Sequence, residues 1–304
     1  MYRVKRILVI FFVLALVLLT ACSNESGGDG ENLSLKIGVM PAVDSAPILL
    51  AKENGYYEEL GLDVEIQIYT NAMNRQSALQ SGELDGAMTD VIALVNNVEN
   101  GFAIKVTTST DGSFPFLIHP EYDGKKEVKV GMMEVSVSNY LSDKSLMDYE
   151  VEKVYINEIP ARLEMVATGN LDMAVIPEPM ASQGALNGLK KEMIENDDAF
   201  SPDVMVFTDS AITEKEEALK LFHQAYNKAI QDINADDGPA RDILIQTLEL
   251  NPQIKENILM PEYHQARVPS KEFFQGILDW NQEVLGISIE LDYEELVEDR
   301  FTHD

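Results

Sequence analysis

Asp44, Asp90, Glu134 and Glu178 are the side chains best placed to do chemistry in this sequence. Each follows a short run rich in Val, Met, Ala and Gly that reads as the end of a buried strand. Hydroxyl and amide groups stand with them: Ser45, Thr89, Ser136 and Ser138, with Asn71, Ser109 and Thr110 after other strand ends. Carboxylates with neutral partners accept hydrogen bonds from amine or amidine nitrogens. They repel an anion by about 4 kcal/mol at 4 Å in a partly dry cleft. Such a set suits recognition of a ligand rich in donors. Nothing in it supplies a nucleophile and base. No Walker loop, GxGxxG, GxSxG or HExxH appears, and His119, His223, His264 and His303 are scattered without metal-ligand spacing. Neither an enzyme nor a cofactor is expected.

Each candidate has a plainer role beside the functional one. Asp44, Ser45, Asp90 and Ser138 are types that cap helix N-termini. Glu178 lies between two prolines, and the second restricts its backbone, so its carboxylate reads as aimed at ligand. Arg162 is the one basic residue near the expected cleft, and a surface ion pair is its expected fate. Tyr56, Tyr57, Tyr69, Phe114, Phe116, Tyr140 and Trp280 could stack on a ring, though most read as core.

The elements that would position these residues begin near Leu33. Before it, Arg3, Lys5 and Arg6 precede an apolar run from Ile7 to Leu19. That length suits a signal peptide and falls short of the roughly 20 residues that span a bilayer. Leu19-Thr20-Ala21-Cys22 looks like a bacterial lipobox, and Cys22 is the chain's only cysteine. Residues 1–21 therefore read as a lipoprotein signal peptide. Cys22 reads as the lipidation site, and residues 22–33 as a flexible tether rich in Gly, Ser and acids. The expected location is the extracytoplasmic face of the cell membrane. The formal charge is -29, from 52 acidic against 23 basic residues. Such a surface repels phosphate backbones, so nucleic acid is not an expected partner.

From Leu35 the pattern alternates strand and helix: Leu35–Met40, Ala46–Leu60, Asp63–Tyr69, Asn74–Gln80, Gly86–Met88, Val91–Asn100, Lys105–Ser109. That order predicts helices covering a parallel or mixed sheet. The same grammar then returns. Lys36-Ile37-Gly38-Val39-Met40 is echoed by Lys129-Val130-Gly131-Met132-Met133. Ser81-Gly82-Glu83-Leu84-Asp85 is echoed by Thr168-Gly169-Asn170-Leu171-Asp172, about ninety residues on. Two similar α/β lobes follow: residues 34–112 with 208–304 as lobe 1, and 113–207 as lobe 2. Helical spacing over Lys215–Ile233, Gly238–Leu248 and Lys271–Leu285 predicts a C-terminal helical block packing mainly on lobe 1. The chain would cross between lobes near Asp111–Pro115 and Phe207–Ser210, which makes a hinge.

The stretch from Ala46-Pro47-Ile48-Leu49-Leu50 through Gly55-Tyr56-Tyr57-Glu58-Glu59-Leu60-Gly61-Leu62-Asp63-Val64 resembles the first motif of the nitrate-, sulfonate-, taurine- and thiamine-precursor-binding proteins. Ser81–Ala87, Ile176-Pro177-Glu178-Pro179-Met180-Ala181 and Asp299-Arg300-Phe301 fit the same family. The resemblance implies a two-lobed type II periplasmic-binding-protein fold. It further implies a monomeric solute-binding protein that serves ABC permease and ATPase subunits. Ligand would sit beyond the carboxyl ends of the strands, against Asp44, Ser45, Asn71, Thr89, Asp90, Thr110, Glu134, Ser136, Ser138 and Glu178. The four acids favour an aminopyrimidine thiamine precursor over an alkyl sulfonate, taurine or nitrate anion. A receptor that signals to a membrane partner would share the fold and the export signal.

Overall fold

Runs of Val, Ile, Leu and Met make the strands, and acidic turns with Gly close the helices between them. The computed structural model describes residues 33–194, 200–287, 290 and 292–302. The segment expected to be a signal peptide, Cys22 and the expected tether up to Asn32 lie outside the described residues.

The first half runs β1 (Leu33–Val39), α1 (Ala46–Glu53), α2 (Tyr56–Glu59), β2 (Leu62–Ile68), α3 (Ala72–Gln80), β3 (Gly86–Asp90), α4 (Val91–Glu99) and β4 (Ile104–Ser109). The single helix expected over Ala46–Leu60 is two, because Gly55 takes a left-handed turn at φ 72°. The second half runs β5 (Phe116–Ile118), β6 (Glu127–Met132), α5 (Val137–Ser145), β7 (Glu150–Tyr155), α6 (Ile159–Ala167), β8 (Met173–Val175), α7 (Met180–Leu186) and β9 (Lys190–Glu192). Then follow β10 (Asp203–Thr208), α8 (Asp209–Glu214), α9 (Glu216–Ala235), α10 (Gly238–Thr247), α11 (Lys271–Trp280) and α12 (Tyr293–Leu296).

The strands form two five-stranded sheets, ordered β2-β1-β3-β10-β4 and β7-β6-β8-β5-β9. In each, three parallel strands are followed by one antiparallel strand, β10 in the first and β5 in the second. The two sheets repeat in detail. Asp85 Oδ2 accepts the Lys36 amide at 2.8 Å, and Asp172 Oδ2 accepts the Lys129 amide at 2.8 Å. A Cβ on Gly38 would meet Leu84 at 2.6 Å, and one on Gly131 would meet Leu171 at 2.5 Å. Both glycines are there because the leucine behind the strand leaves no room.

One boundary moves. The sequence reading gave residues up to 207 to lobe 2 and put the return crossing at Phe207–Ser210. Yet β10 lies in the first sheet, paired antiparallel with β3 and β4, so the return lies between Glu192 and Asp203. The apolar run of β10 carries no mark of the sheet it joins. The outward crossing, between Ser109 and Phe116, falls where expected.

In the helical block, α9 and α10 pack on α1 and extend a core that holds Ile37, Ile48, Leu219, Phe222 and Leu244. A second core joins the lobes, running from Val91 and Val95 to Val130, Met132 and Tyr140, with Phe274 and Ile277 of α11 against it. At the end of α11, the Trp280 ring meets Tyr140 edge-on at 5.5 Å, and its Nε1 donates to Asp143 Oδ2 at 3.1 Å. The C-terminal block therefore also touches lobe 2.

Candidate functional site: an interlobe cavity

A cavity of about 80 Å³ lies beyond the carboxyl ends of the parallel strands, lined by the turns after β1, β3, β6 and β8. At 10–15 Å³ per water, that is room for roughly five to eight waters. The lobes touch around it. Asp90 Oδ2 accepts the Val137 amide at 3.1 Å, Asn71 Nδ2 donates to Glu158 Oε1 at 2.6 Å, and the Val43 amide donates to the Glu178 carbonyl at 2.8 Å.

The wall from lobe 1 is acidic. Asp44, Asp90 and Asp203 all line the cavity and are all buried, with one guanidinium, Arg75, among them. Asp44 is 4% exposed and its Oδ1 has no hydrogen-bond partner. Burial pushes its carboxyl up to about 7, with backbone donors and the charge of Arg75 offsetting only part of that. Asp203 is raised too, first by burial and then by the charge of Asp44. Its Oδ2 accepts from the Ser201 hydroxyl at 2.5 Å. Asp90 is raised by burial, and both its oxygens are taken: Oδ1 accepts the Ala93 amide at 2.7 Å as the cap of α4, and Oδ2 holds Val137. Arg75 donates through Nη2 to Thr89 Oγ1 at 3.0 Å, and its Nε has no partner.

The wall from lobe 2 is basic. Arg162 is 2% exposed, donates through Nη1 to the Val175 carbonyl at 2.8 Å, and has an Nε without a partner. Burial lowers it to about 10, so it is a cation at neutral pH. It is not the surface ion pair expected from the sequence. Eighty-seven residues separate Arg75 from Arg162, the spacing that also separates Asp85 from Asp172. The two arginines are thus repeat equivalents, one from α3 and one from α6, each beneath the glycine of its own lobe's first parallel strand.

Of the residues expected at the ligand, Asp44, Thr89, Asp90, Ser136 and Ser138 line the cavity. Ser136 caps α5, its hydroxyl 2.6 Å from that of Ser138, and Ser138 Oγ accepts the Met133 amide at 3.0 Å. The other five point elsewhere. Ser45 Oγ donates to the Ala42 carbonyl at 2.7 Å. Asn71 caps α3 at the rim. Thr110 is buried outside the cavity lining, where its hydroxyl acts on the Asp44 carboxyl from behind. Glu134 is exposed, and its carbonyl accepts from Asn139 Nδ2 at 2.7 Å. Glu178 is wholly buried, where Lys191 Nζ meets its Oε1 at 2.5 Å and the Ser182 amide meets its Oε2 at 3.0 Å. Its carboxylate turns away from the cavity, and the preceding Pro177 lines the wall instead. Among the aromatic candidates, Phe114 lines the cavity, whereas Tyr57 is sealed in the core of lobe 1.

Arg75 and Asp203 went unread. Arg75 lies six residues before Ser81, as Arg162 lies six before Thr168, so the repeat carried the signal for both. Asp203 was hidden because β10 is antiparallel. Its first residue pairs with Asp90 at the cleft end of the sheet, whereas a rule about the carboxyl ends of parallel strands looks at the opposite end. Among the described residues, no group of three or more His, Cys, Asp or Glu could hold a metal ion, and no helix is long and apolar enough to cross a membrane.

Several known proteins share this arrangement. A Brachyspira hyodysenteriae protein described as an ABC-transporter periplasmic binding protein is 22% identical over 268 residues, covering 80% of this chain and 78% of its own. The ligand-binding component of an ABC-type import system from Staphylococcus aureus, solved with zinc bound, superposes with a TM-score of 0.75 at 17% identity. That match covers 88% of this chain and 97% of the other. The alkanesulfonate-binding protein SsuA of Xanthomonas axonopodis pv. citri, bound to MOPS, superposes with a TM-score of 0.71 at 15% identity, over 88% and 98% of the two chains. The nitrate-binding protein NrtA of Synechocystis PCC 6803 gives 0.69 at 14%, over 87% and 84%. These likenesses establish the two-lobed fold, and the NMT1-like family matches residues 28–229, so the chain is a member of the NMT1-like family built on the fold of ABC-import solute-binding proteins.

Proposed function

We propose that the chain is the extracytoplasmic solute-binding component of an ABC importer. It closes two lobes on a small polar organic ligand and delivers it to a permease. The observation that carries this reading is a cavity between the lobes whose lining residues Asp44, Arg75 and Arg162 have Oδ1, Nε and Nε buried without hydrogen-bond partners. Leaving a buried polar group unpaired costs about 1–3 kcal/mol, more when it is charged. A ligand that satisfies all three recovers this cost only when both lobes surround it, and that differential affinity is what drives closure.

The acidic wall favours hydrogen-bond donors at Asp44, and Arg162 favours an acceptor opposite. A planar aminopyrimidine has both, with an exocyclic amine for the carboxyl, a ring nitrogen for the guanidinium, and a face for Phe114. An alkyl sulfonate, the ligand named for one structural neighbour, would satisfy Arg162 but would stand against three carboxyl groups. A thermal-shift screen of residues 33–304 against pyrimidines, alkyl sulfonates, nitrate, amino acids and polyamines tests the reading. An aminopyrimidine should raise the melting temperature, by about 2.7 kcal/mol of stabilisation at a hundred times its Kd. A shift with sulfonates and none with pyrimidines would reverse the preference, and no shift with any small solute would remove the binding role.

The same role places the folded unit outside the cytoplasm on a lipid held by Cys22. Two acyl chains anchor durably where one is marginal. Cys22→Ser should release the protein from the membrane fraction of an expressing bacterium.

A further inference from the structure

The lobe 1 wall carries more acid than its base can balance. Arg75 is the cation beside Asp44, Asp90 and Asp203, and all three act on it. Asp90 spends its two oxygens on the Ala93 and Val137 amides. That leaves Asp44 and Asp203, both buried and both lining the cavity, with Asp44 the charged neighbour that acts most on Asp203. Ser201 serves one oxygen of Asp203, whereas Asp44, which lines the cavity, makes no hydrogen bond through Oδ1 and has the Thr110 hydroxyl acting on its carboxyl from behind the lining. Two carboxylates buried in one site do not both ionise unless a second positive charge arrives.

The remaining neighbours do not supply that charge. Asp111 adds to the repulsion on Asp44, and its own oxygens are held by Arg267 Nη2 at 3.2 Å and by the His264 amide at 2.8 Å. Tyr226 from α9 and Tyr263 from the connection between α10 and α11 also feel Asp44; burial raises both, so they stay neutral. Arg162 faces the cavity from the far lobe.

We propose that the Asp44–Asp203 pair seats a protonated nitrogen of the ligand, an amidinium or ammonium, and sheds a proton to solvent as that cation binds. This rests on the cavity being the ligand seat and narrows the ligand to a small nitrogen base. The free pair holds at least one proton near neutrality, because burial raises both carboxyls and the charge of Asp44 raises Asp203 further. The incoming cation replaces that proton, its N–H groups donate to both carboxylates, and the displaced proton leaves to buffer. Binding therefore strengthens as pH rises through neutrality.

Titration calorimetry of residues 33–304 with acetamidine, a small and permanently charged amidinium, tests this at pH 6, 7 and 8. Two buffers of different ionisation enthalpy count the protons. Acetamidine should bind about tenfold more weakly for each pH unit below 7. It should release close to one proton per cation at pH 6 and few at pH 8. Asp44→Asn and Asp203→Asn should each weaken binding at least tenfold, and Asp44→Asn should abolish the proton release. Should either variant fail to fold, the pH profile of the unaltered protein still decides. Absence of acetamidine binding overturns the inference, as does binding without proton release or an affinity in both variants equal to that of the unaltered protein. If acetamidine is inert while another solute from the thermal screen binds, this inference fails and the importer reading stands.

Discussion

At the scale of single residues, two buried groups pull stability in opposite directions with pH. Asp44 has a folded pKa of about 7 against 3.8 when exposed. Its raised pKa means the folded chain binds the proton more tightly. Its contribution is therefore most favourable below pH 4 and is lost as pH rises towards 7, a cost on the order of 2–4 kcal/mol. Asp44→Asn should raise the melting temperature of the unliganded protein by several degrees at pH 8 and change it little at pH 4.5. A drop at pH 8 would mean the carboxylate is structurally paired. His223 behaves in the reverse sense. Its Nδ1 donates to the Leu219 carbonyl at 2.7 Å and its Nε2 accepts from Thr107 at 3.1 Å, in a fully buried site. Burial lowers it to about 4. The stability it contributes is fully present above 6.5 and is lost as pH falls from there to 4. Asp44 alone marks a ligand site, because His223 has both its hydrogen bonds made.

Among the elements, the connection from α7 to β9 is fastened by one buried ion pair, Glu178 with Lys191. Lys191 also donates to Ser182 Oγ at 2.7 Å and to the Asn257 carbonyl at 2.6 Å. Removing one partner leaves a buried charge alone, which costs about 3–5 kcal/mol. Lys191→Met should lower the unfolding free energy from urea titration by that amount, and the Glu178→Gln Lys191→Met pair should restore much of it. Ligand affinity of the folded fraction should not change, because neither side chain lines the cavity.

The same pair shows what a sequence can and cannot disclose. The repeat was legible because both lobes solve one problem in one way: a turn aspartate on the amide of a strand lysine and a glycine over a leucine. Glu178 was misread because its restriction between prolines was visible, whereas Lys191, thirteen residues on, became its partner only through the pairing of β5 with β9. Arg162 was misread for a related reason. An arginine in an acidic chain reads as a surface cation until the sheet above it closes over the stem.

For the whole molecule, the two crossings and the rim contacts make closure the event to observe. Trp280 is the chain's one tryptophan and sits half-buried at the seam, against Tyr140 and Asp143 of lobe 2. Its emission therefore reports the lobes directly. Separating them exposes the indole, so Asn71→Ala, which removes the rim contact to Glu158, should shift emission to the red. Saturating ligand should reverse that shift. An unchanged spectrum in both cases would mean that the seam does not open.

All of this turns on one claim, that a small solute is held between the lobes by side chains from both. The direct measurement is a crystal structure of residues 33–304 grown with the compound that gives the largest thermal shift. The account predicts that compound in the interlobe cavity, within hydrogen-bonding distance of Asp44 from lobe 1 and Arg162 from lobe 2. A compound bound outside the cavity, or touching one lobe alone, would contradict it.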